Sequence, residues 1–220
     1  MEEDDEWTRE RTEEYIKKME KVSKRVYESF AREILGYIEE HGMDNRLTVL
    51  DLGCGPGFLI LELKRMKSRY RIIGVDPSES MLEIAERRAA EWGIEDFEAR
   101  VGTAEKIPLS DMSVGIVVCR NSLHEWKDRE KGVREVHRVL KEGGLFIIRD
   151  PNRGYPKWKL ALSLIPTLIT SGVKQAKNRY KSYNKWLTHT EAKQLLQRHQ
   201  FSIEHLKKGR QYTLIGRKKH

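Results

Sequence analysis

Val49-Leu50-Asp51-Leu52-Gly53-Cys54-Gly55-Pro56-Gly57 passes from a β-rich run into a glycine turn. Apolar, helix-compatible Phe58–Met66 follows directly, so the stretch predicts strand, tight loop and helix in succession. Glycines there permit positive φ and let a ligand approach the backbone closely. The first turn of the helix presents free N–H groups, which favour an anionic group. A loop of this kind after the first strand of an open α/β sheet is a ligand-binding position.

Downstream, strands and helices alternate. Arg71–Val75 is a second strand ending at Asp76-Pro77, and Ser78 is placed to cap a helix over Glu79–Trp92 that Gly93 ends. Phe97–Val101 is a third strand, and Val114–Cys119 a fourth, almost continuously apolar. Arg129–Leu140 is a helix stopped by Gly143-Gly144, before a fifth strand at Leu145–Arg149. This order predicts a parallel sheet covered on both faces. Upstream, Ile16, Met19, Val22, Val26, Phe30, Ile34 and Ile38 recur at helical spacing, predicting one or two helices between about residues 5 and 41. Near the C-terminus Thr188-His189-Thr190-Glu191 matches a capping box. Phe201–Leu206 and Gln211–Gly216 then read as a hairpin. The expectation is one α/β domain over residues 1–220: an N-terminal helical cap (1–42), a core (47–150), a helical lid insert (151–187) and a C-terminal helix and hairpin (188–220). The sheet is doubly wound and seven-stranded, mostly parallel with an antiparallel C-terminal hairpin.

The chain has 220 residues, of which 38% are hydrophobic and 35% charged, with a formal net charge of +8. From Pro151 to Thr190 there is no acidic residue, while Arg153, Lys157, Lys159, Lys174, Lys177, Arg179, Lys181 and Lys185 are basic. Such a stretch reads either as a solvated face or as a patch for an anionic partner. No apolar run reaches the roughly 18–20 residues that cross a bilayer. Residues 157–181 are a candidate for peripheral membrane contact, with the lysines outward, and the sequence carries no signal for an oligomeric state. The start, Met1-Glu2-Glu3-Asp4-Asp5-Glu6, is acidic and unlike a secretory signal, so a cytoplasmic location is expected. Cys54 and Cys119 have no metal-ligand or disulfide spacing, and no metal is expected.

Asp76 ends the second strand about 20 residues beyond the loop, where an acid can accept ribose hydroxyls. Phe58 occupies the sixth position of a dinucleotide fingerprint, and no Lys-Ser/Thr follows as in a phosphate loop. The loop instead resembles that of class I S-adenosylmethionine-dependent methyltransferases, a Rossmann-like family. Asp76-Pro77-Ser78-Glu79-Ser80-Met81-Leu82, Gly102-Thr103-Ala104-Glu105-Lys106-Ile107-Pro108-Leu109, Val114 through Trp126, and Leu140-Lys141-Glu142-Gly143-Gly144-Leu145 resemble that family's later motifs in order. The nearest style is the small-molecule group that includes quinone-biosynthesis methyltransferases.

The resemblance implies S-adenosylmethionine as cofactor. Asp51, Gly53, Gly55 and Gly57, with Cys54 inside the loop, would hold its methionine end. Asp76, followed by Pro77, would grip the ribose, and Met81 would pack near the adenine. Thr103 and Ala104, with Glu105 next, would border the adenine, and Asn121 would line the methionine part. Relatives often carry Asp where Thr103 stands, so with a neutral hydroxyl the contact expected here is either weaker or made by backbone. Methyl transfer asks mainly for in-line positioning, with a base only where the acceptor must lose a proton. His124, after the fourth strand, is the first candidate base, and Asp150, at the end of the fifth, the second. Trp158, Leu162, Ile165, Leu168, Ile169, Tyr180, Tyr183 and Trp186 are candidate linings for an acceptor pocket under the lid. A small-molecule acceptor, apolar or anionic, leads. RNA or protein methylation is the alternative, favoured by the basic insert and tail, but Arg120-Asn121-Ser122-Leu123 stands where amino-methylating nucleic-acid enzymes carry Asn-Pro-Pro-Tyr. A non-catalytic cofactor-binding protein is the third reading, and a nicotinamide-dependent oxidoreductase a distant fourth.

Overall fold

In the computed structural model, residues 9–43, 47–66, 69–162 and 182–219 are described, with side chains in the first stretch at Ile16 and from Arg25 onward. Strand β1 (Thr48–Leu52) is buried from Val49 on because it lies inside the sheet, paired in parallel with β2 (Arg71–Asp76) and β4 (Val114–Arg120). With β3 (Phe97–Val101), β5 (Leu140–Pro151), β6 (Phe201–Lys207) and β7 (Gln211–Lys218), the order is β3-β2-β1-β4-β5-β7-β6. The first five are parallel, and β7 runs antiparallel to both β5 and β6. The chain winds outward from β1 to β3, then resumes at β4 on the other side. The winding therefore reverses between β1 and β4, where open sheets place ligands at their C-terminal ends.

Helices cover both faces, which is why the central strands are apolar without alternation. On one face, Val49, Ile116 and Ile147 meet Phe30, Ile34 and Ile38 of α1 (Arg9–Glu40) and Leu59 and Leu63 of α2 (Phe58–Arg65). On the other, Leu50, Val117 and Phe146 meet Val133 and Val136 of α4 (Arg129–Val139) and Leu195 and Leu196 of α5 (His189–Arg198). Each fully buried aliphatic or aromatic side chain contributes roughly 1.5–3 kcal/mol. Helix α3 (Glu79–Glu91) lies between β2 and β3 in sequence, and Gly93 after it takes a positive φ of 65°.

Several expectations change in detail. Of the one or two helices expected at the N-terminus, the described length forms a single continuous one. Its buried stripe runs Tyr27, Phe30, Ala31, Ile34 and Ile38, so Val26, one residue off the stripe, is 36% exposed. The side chains of Met19 and Val22 fall outside the described residues. Ser78 occupies the N-cap position of α3 but makes no side-chain cap bond, because its Oγ pairs with Ser80 Oγ at 2.9 Å. Gly143-Gly144 does not stop a helix. α4 ends at Val139, and β5 already starts at Leu140, which pairs with Val114 before the register shifts. Gly143 has φ 70°, and a Cβ at Gly144 would stand 2.9 Å from the Gly115 carbonyl oxygen. The pair forms the irregular start of the strand.

The capping box is present: Thr188 Oγ1 accepts from Glu191 N, and Glu191 accepts from Thr188 N. Of the insert, residues 163–181 fall outside the described residues, and with them Ile165, Leu168, Ile169 and Tyr180. Trp158 and Leu162 are exposed, whereas Leu160, Tyr183 and Trp186 form a small separate cluster with Tyr155. Trp158 and Leu162 therefore stand at the surface rather than in that cluster. No helix among them is long and apolar enough to cross a membrane.

Candidate functional site

The three glycines of the loop are held in the left-handed region, with φ 76°, 52° and 76° at Gly53, Gly55 and Gly57. Gly53 N and Cys54 N both donate to the Val75 carbonyl, which fastens the loop to the end of β2. A side chain at Gly53 would collide with Ser122 from the β4 side, and one at Gly57 would press on Ala85 of α3 at 3.1 Å. At Gly55 a Cβ would meet nothing within 4 Å. The loop is thus packed at both ends and open in its middle.

Asp76 joins this loop to the next. Its Oδ2 accepts from Gly55 N at 2.9 Å and its Oδ1 from Ser78 N at 3.0 Å. Pro77 is exposed beside it and Met81 is buried in the first turn of α3. Cys54 is buried, its sulfur close to the α-carbon of Gly74. Burial, then the charges of Asp51 and Asp76, push its thiol well above the usual range, so it remains an un-ionised packing group.

Asp51 is 2% exposed. Burial, reinforced by the Asp76 charge and opposed by Arg120, raises its carboxyl to about 7. Arg120 is a member of this constellation that the sequence reading missed. It ends the apolar strand β4, is 8% exposed, and lays its guanidinium over the Tyr27 ring of α1, 4.0 Å from the centroid. Its only sequence signal is a charge closing an apolar run, which ordinarily marks a solvated strand end.

The third predicted group divides. Thr103 is exposed and bridges to Lys106. Ala104 is buried in the core near Gly132. Glu105 Oε1 accepts from Asp128 N at the start of α4. Asn121 takes φ 53°, donates its N–H to the Arg149 carbonyl and accepts from Gln211 Nε2 at 2.6 Å. Its side chain therefore braces β7.

His124 and Asp150, predicted as separate candidates, form one unit. His124 lies in a 3-10 turn over Leu123–Glu125, and its Nδ1 is 3.0 and 3.1 Å from the two oxygens of the fully buried Asp150. Its Nε2 is 3.3 Å from Glu125 Oε1, and Glu125 in turn accepts from Lys185 Nζ at 2.6 Å. Arg129 donates to the carbonyls of Leu123, His124 and Lys185, tying this turn to the residues before α5. Burial pulls the His124 pKa down, but hydrogen bonds and charge from Asp150 and Glu125 outweigh it and raise it to about 9. Asp150 moves upward because burial exceeds the opposing pull of His124. With its pKa near 9, His124 is an imidazolium at neutral pH, held against the Asp150 carboxyl group. Among the described residues no cluster of three His, Cys, Asp or Glu is placed to hold a metal ion.

A parallel sheet with its winding reversal at β1/β4, a glycine loop there and a carboxylate ending β2 define a Rossmann-like protein shaped for a nucleoside. More narrowly, the chain belongs to the methyltransferase domain family, which matches it over residues 43–212. It is 41% identical over 102 residues to the uncharacterized methyltransferase YcgJ of Bacillus subtilis strain 168, covering 46% of this chain and 40% of that protein. It is 33% identical over 149 residues to the demethylmenaquinone methyltransferase of Thermotoga maritima, covering 60% and 63%. The chain thus spans about 40–63% of the length of the curated relatives it matches first. A crystal structure of a Methanococcus maripaludis protein assigned to the S-adenosyl-L-methionine-dependent methyltransferases superposes with a TM-score of 0.77 at 23% identity, over 100% of this chain and 98% of that one. That likeness is one of fold.

Proposed function

We propose that the chain transfers a methyl group from S-adenosylmethionine to a small-molecule acceptor. The observation that carries this is the Asp76 carboxylate, which ends β2 and accepts from Gly55 N in the open middle of the glycine loop, beside the winding reversal at β1/β4. In a chain of this family, that combination fits a nucleoside with an amino-acid tail. The space beyond Gly55 admits the ligand, Asp76 receives ribose hydroxyls, Met81 supports the base, and Gly53, Asp51 and Asn121 border the tail. When bound, the cofactor supplies an electrophilic methyl group on a sulfonium sulfur.

The protein's task is then to place a nucleophile in line and exclude water. His124 is suited to hold the acceptor. As an imidazolium fixed by Asp150, it donates from Nε2 once Glu125 yields that position, and favours an acceptor atom that is already anionic. On this reading His124 acts as a charged donor rather than as a resting base. The demethylmenaquinone methyltransferases among the relatives support a small-molecule acceptor of the quinone type.

Two measurements test the reading. S-adenosylhomocysteine is expected to raise the unfolding temperature, and NAD is not; no stabilisation by the former refutes the cofactor. Labelled methyl from S-adenosylmethionine, offered to fractionated cell extract, is expected in the small-molecule or lipid fraction. Label confined to RNA or protein overturns the acceptor class.

A further inference from the structure

Trp158 and Leu162, at 64% and 56%, are the two most exposed large apolar side chains among the described residues. Single apolar side chains on a surface are ordinary, but these two stand together. Both lie in the helical segment 157–162, where Leu160 N donates to the Pro156 carbonyl at 3.0 Å. Four residues apart, they share one face of that segment. Leu160, two residues from each, takes the opposite face and is buried against Tyr155, Tyr183 and Trp186.

The base beneath the segment is fixed. Tyr183 Oη donates to the Arg153 carbonyl at 2.6 Å, Arg153 N donates to the Leu187 carbonyl at 3.0 Å, and Asn152 Nδ2 donates to the Gly209 carbonyl at 3.0 Å. The buried side therefore sets the orientation, and Trp158 and Leu162 are presented outward.

Charge says what such a face meets. Lys157 and Lys159 are exposed on either side of Trp158, with Lys159 Nζ 5.2 Å from the Trp158 ring centroid. From Pro151 to Thr190 the sequence carries basic residues and no acidic one. Two acids from outside pair with this stretch among the described residues, Glu125 with Lys185 and Glu191 with Arg153, and each is matched by the cation it meets. An aromatic and an aliphatic side chain on one face, with lysines whose stems can lie along an apolar layer, match the boundary between acidic headgroups and acyl chains. A nucleic acid would take the cations and stack on the indole but leave Leu162 in water.

We propose that this face docks the protein on an anionic lipid bilayer, with Trp158 and Leu162 entering the headgroup–acyl boundary and Lys157 and Lys159 at the phosphates. The contact needs neither cofactor nor methyl acceptor, so it stands or falls apart from the methyl-transfer reading. The base of the segment is tied to the His124 turn through Lys185 and Glu125, so docking sets that turn near the phase in which an apolar acceptor dissolves.

Flotation of the full chain with vesicles tests this. Phosphatidylcholine vesicles containing phosphatidylglycerol are expected to carry the protein, and phosphatidylcholine alone is not. Trp158→Ser should weaken binding about tenfold, the effect of losing one partly buried large apolar side chain. Lys157→Gln with Lys159→Gln should weaken it about tenfold to thirtyfold, at roughly fivefold for each lysine near an anionic surface. Lipid with brominated acyl chains should quench tryptophan fluorescence in wild type, and most of that quenching should vanish in Trp158→Phe. The substituted side chains are exposed, so unfolding midpoints should match wild type; Leu162→Ser carries the apolar arm if Trp158→Ser is destabilised. No flotation with anionic vesicles, or equal flotation with both lipids, overturns the proposal. So does binding that falls with the lysines but is untouched by Trp158→Ser and Leu162→Ser, which leaves a charged surface and no docked face. Polyuridylate that displaces the protein from anionic vesicles with steep salt dependence overturns it too, and assigns the cations to nucleic acid.

Discussion

Gly53→Ala should be among the most damaging single-methyl additions in this protein, for two separable reasons. The backbone φ of 76° costs a residue with a Cβ about 1–2 kcal/mol. The added carbon would also stand 2.6 Å from Ser122 Cβ. The Ser122 hydroxyl can rotate away, at the expense of the bond it accepts from Trp126 Nε1, but its Cβ cannot. Overpacking of that kind costs roughly 1–3 kcal/mol, for a total of about 2–5 kcal/mol. At about 2–4 °C per kcal/mol for a chain of this length, the unfolding midpoint should fall by roughly 5–15 °C. The same loop carries Gly55 N to Asp76, so S-adenosylhomocysteine affinity should fall as well. Chemical denaturation of wild type, Gly53→Ala, Ser122→Gly and the double variant isolates the collision. Ser122→Gly alone loses the Trp126 bond, about 1 kcal/mol. In its background Gly53→Ala should cost only the conformational part, leaving a coupling of about 1–3 kcal/mol. Strict additivity, or a cost for Gly53→Ala below about 1 kcal/mol, would refute the reasoning.

The His124–Asp150 pair predicts a shared pH dependence. His124 has a folded pKa near 9 against an ordinary 6.5, so its stabilising contribution is complete below about 6.5 and is lost as pH rises through 9. Stability followed by denaturant midpoint, and activity followed by methyl transfer, should both decline across that window in wild type but not in His124→Gln; activity that instead climbs toward pH 9 would restore a base. Thr188→Ala removes one half of the capping box and should cost about 0.5–2 kcal/mol, read as a lower midpoint with unchanged S-adenosylhomocysteine affinity.

The strands were legible because each is bracketed by its own signals: Gly53 after β1, Asp76-Pro77 after β2, and an unbroken apolar run in β4. The start of β5 was not. Two adjacent glycines mark a helix stop and an irregular strand equally well, and only the approach of Gly144 to the Gly115 carbonyl decides between them. In the site, Asp76 was legible as an acid at a strand end. Its grip on Gly55 was not, because that bond spans 21 residues and depends on β1 and β2 pairing in register. His124 and Asp150 read as rivals along the chain. The parallel pairing of β4 and β5 brings the end of one strand beside the loop after the other and makes them partners. Arg120 and Glu125 were missed for a common reason. Each looks like a solvated charge until a distant element covers or pairs it: Tyr27 of α1 for Arg120, Lys185 for Glu125.

The electrostatics of Asp51 show what such a site costs in the ligand-free protein. Its carboxyl titrates near 7 when folded, against an ordinary 3.8, because burial and the Asp76 charge oppose ionisation more than Arg120 favours it. Protonated Asp51 therefore stabilises the fold below about pH 4, and that contribution is lost as pH rises through 7. Asp51→Asn removes the titration, so the unliganded variant should be more stable than wild type above pH 7, by at most about 4 kcal/mol. The same substitution should weaken S-adenosylmethionine, because an amide cannot offer an ammonium or sulfonium the field of a buried carboxylate. A strand-end acid kept only for packing predicts the reverse: lower stability at pH 8 and unchanged affinity. Denaturation at pH 5 and pH 8, combined with calorimetry at pH 8, decides between them. A gain in stability together with a loss of affinity means the charge is retained for the ligand, and that the bound cation supplies the compensation the fold lacks.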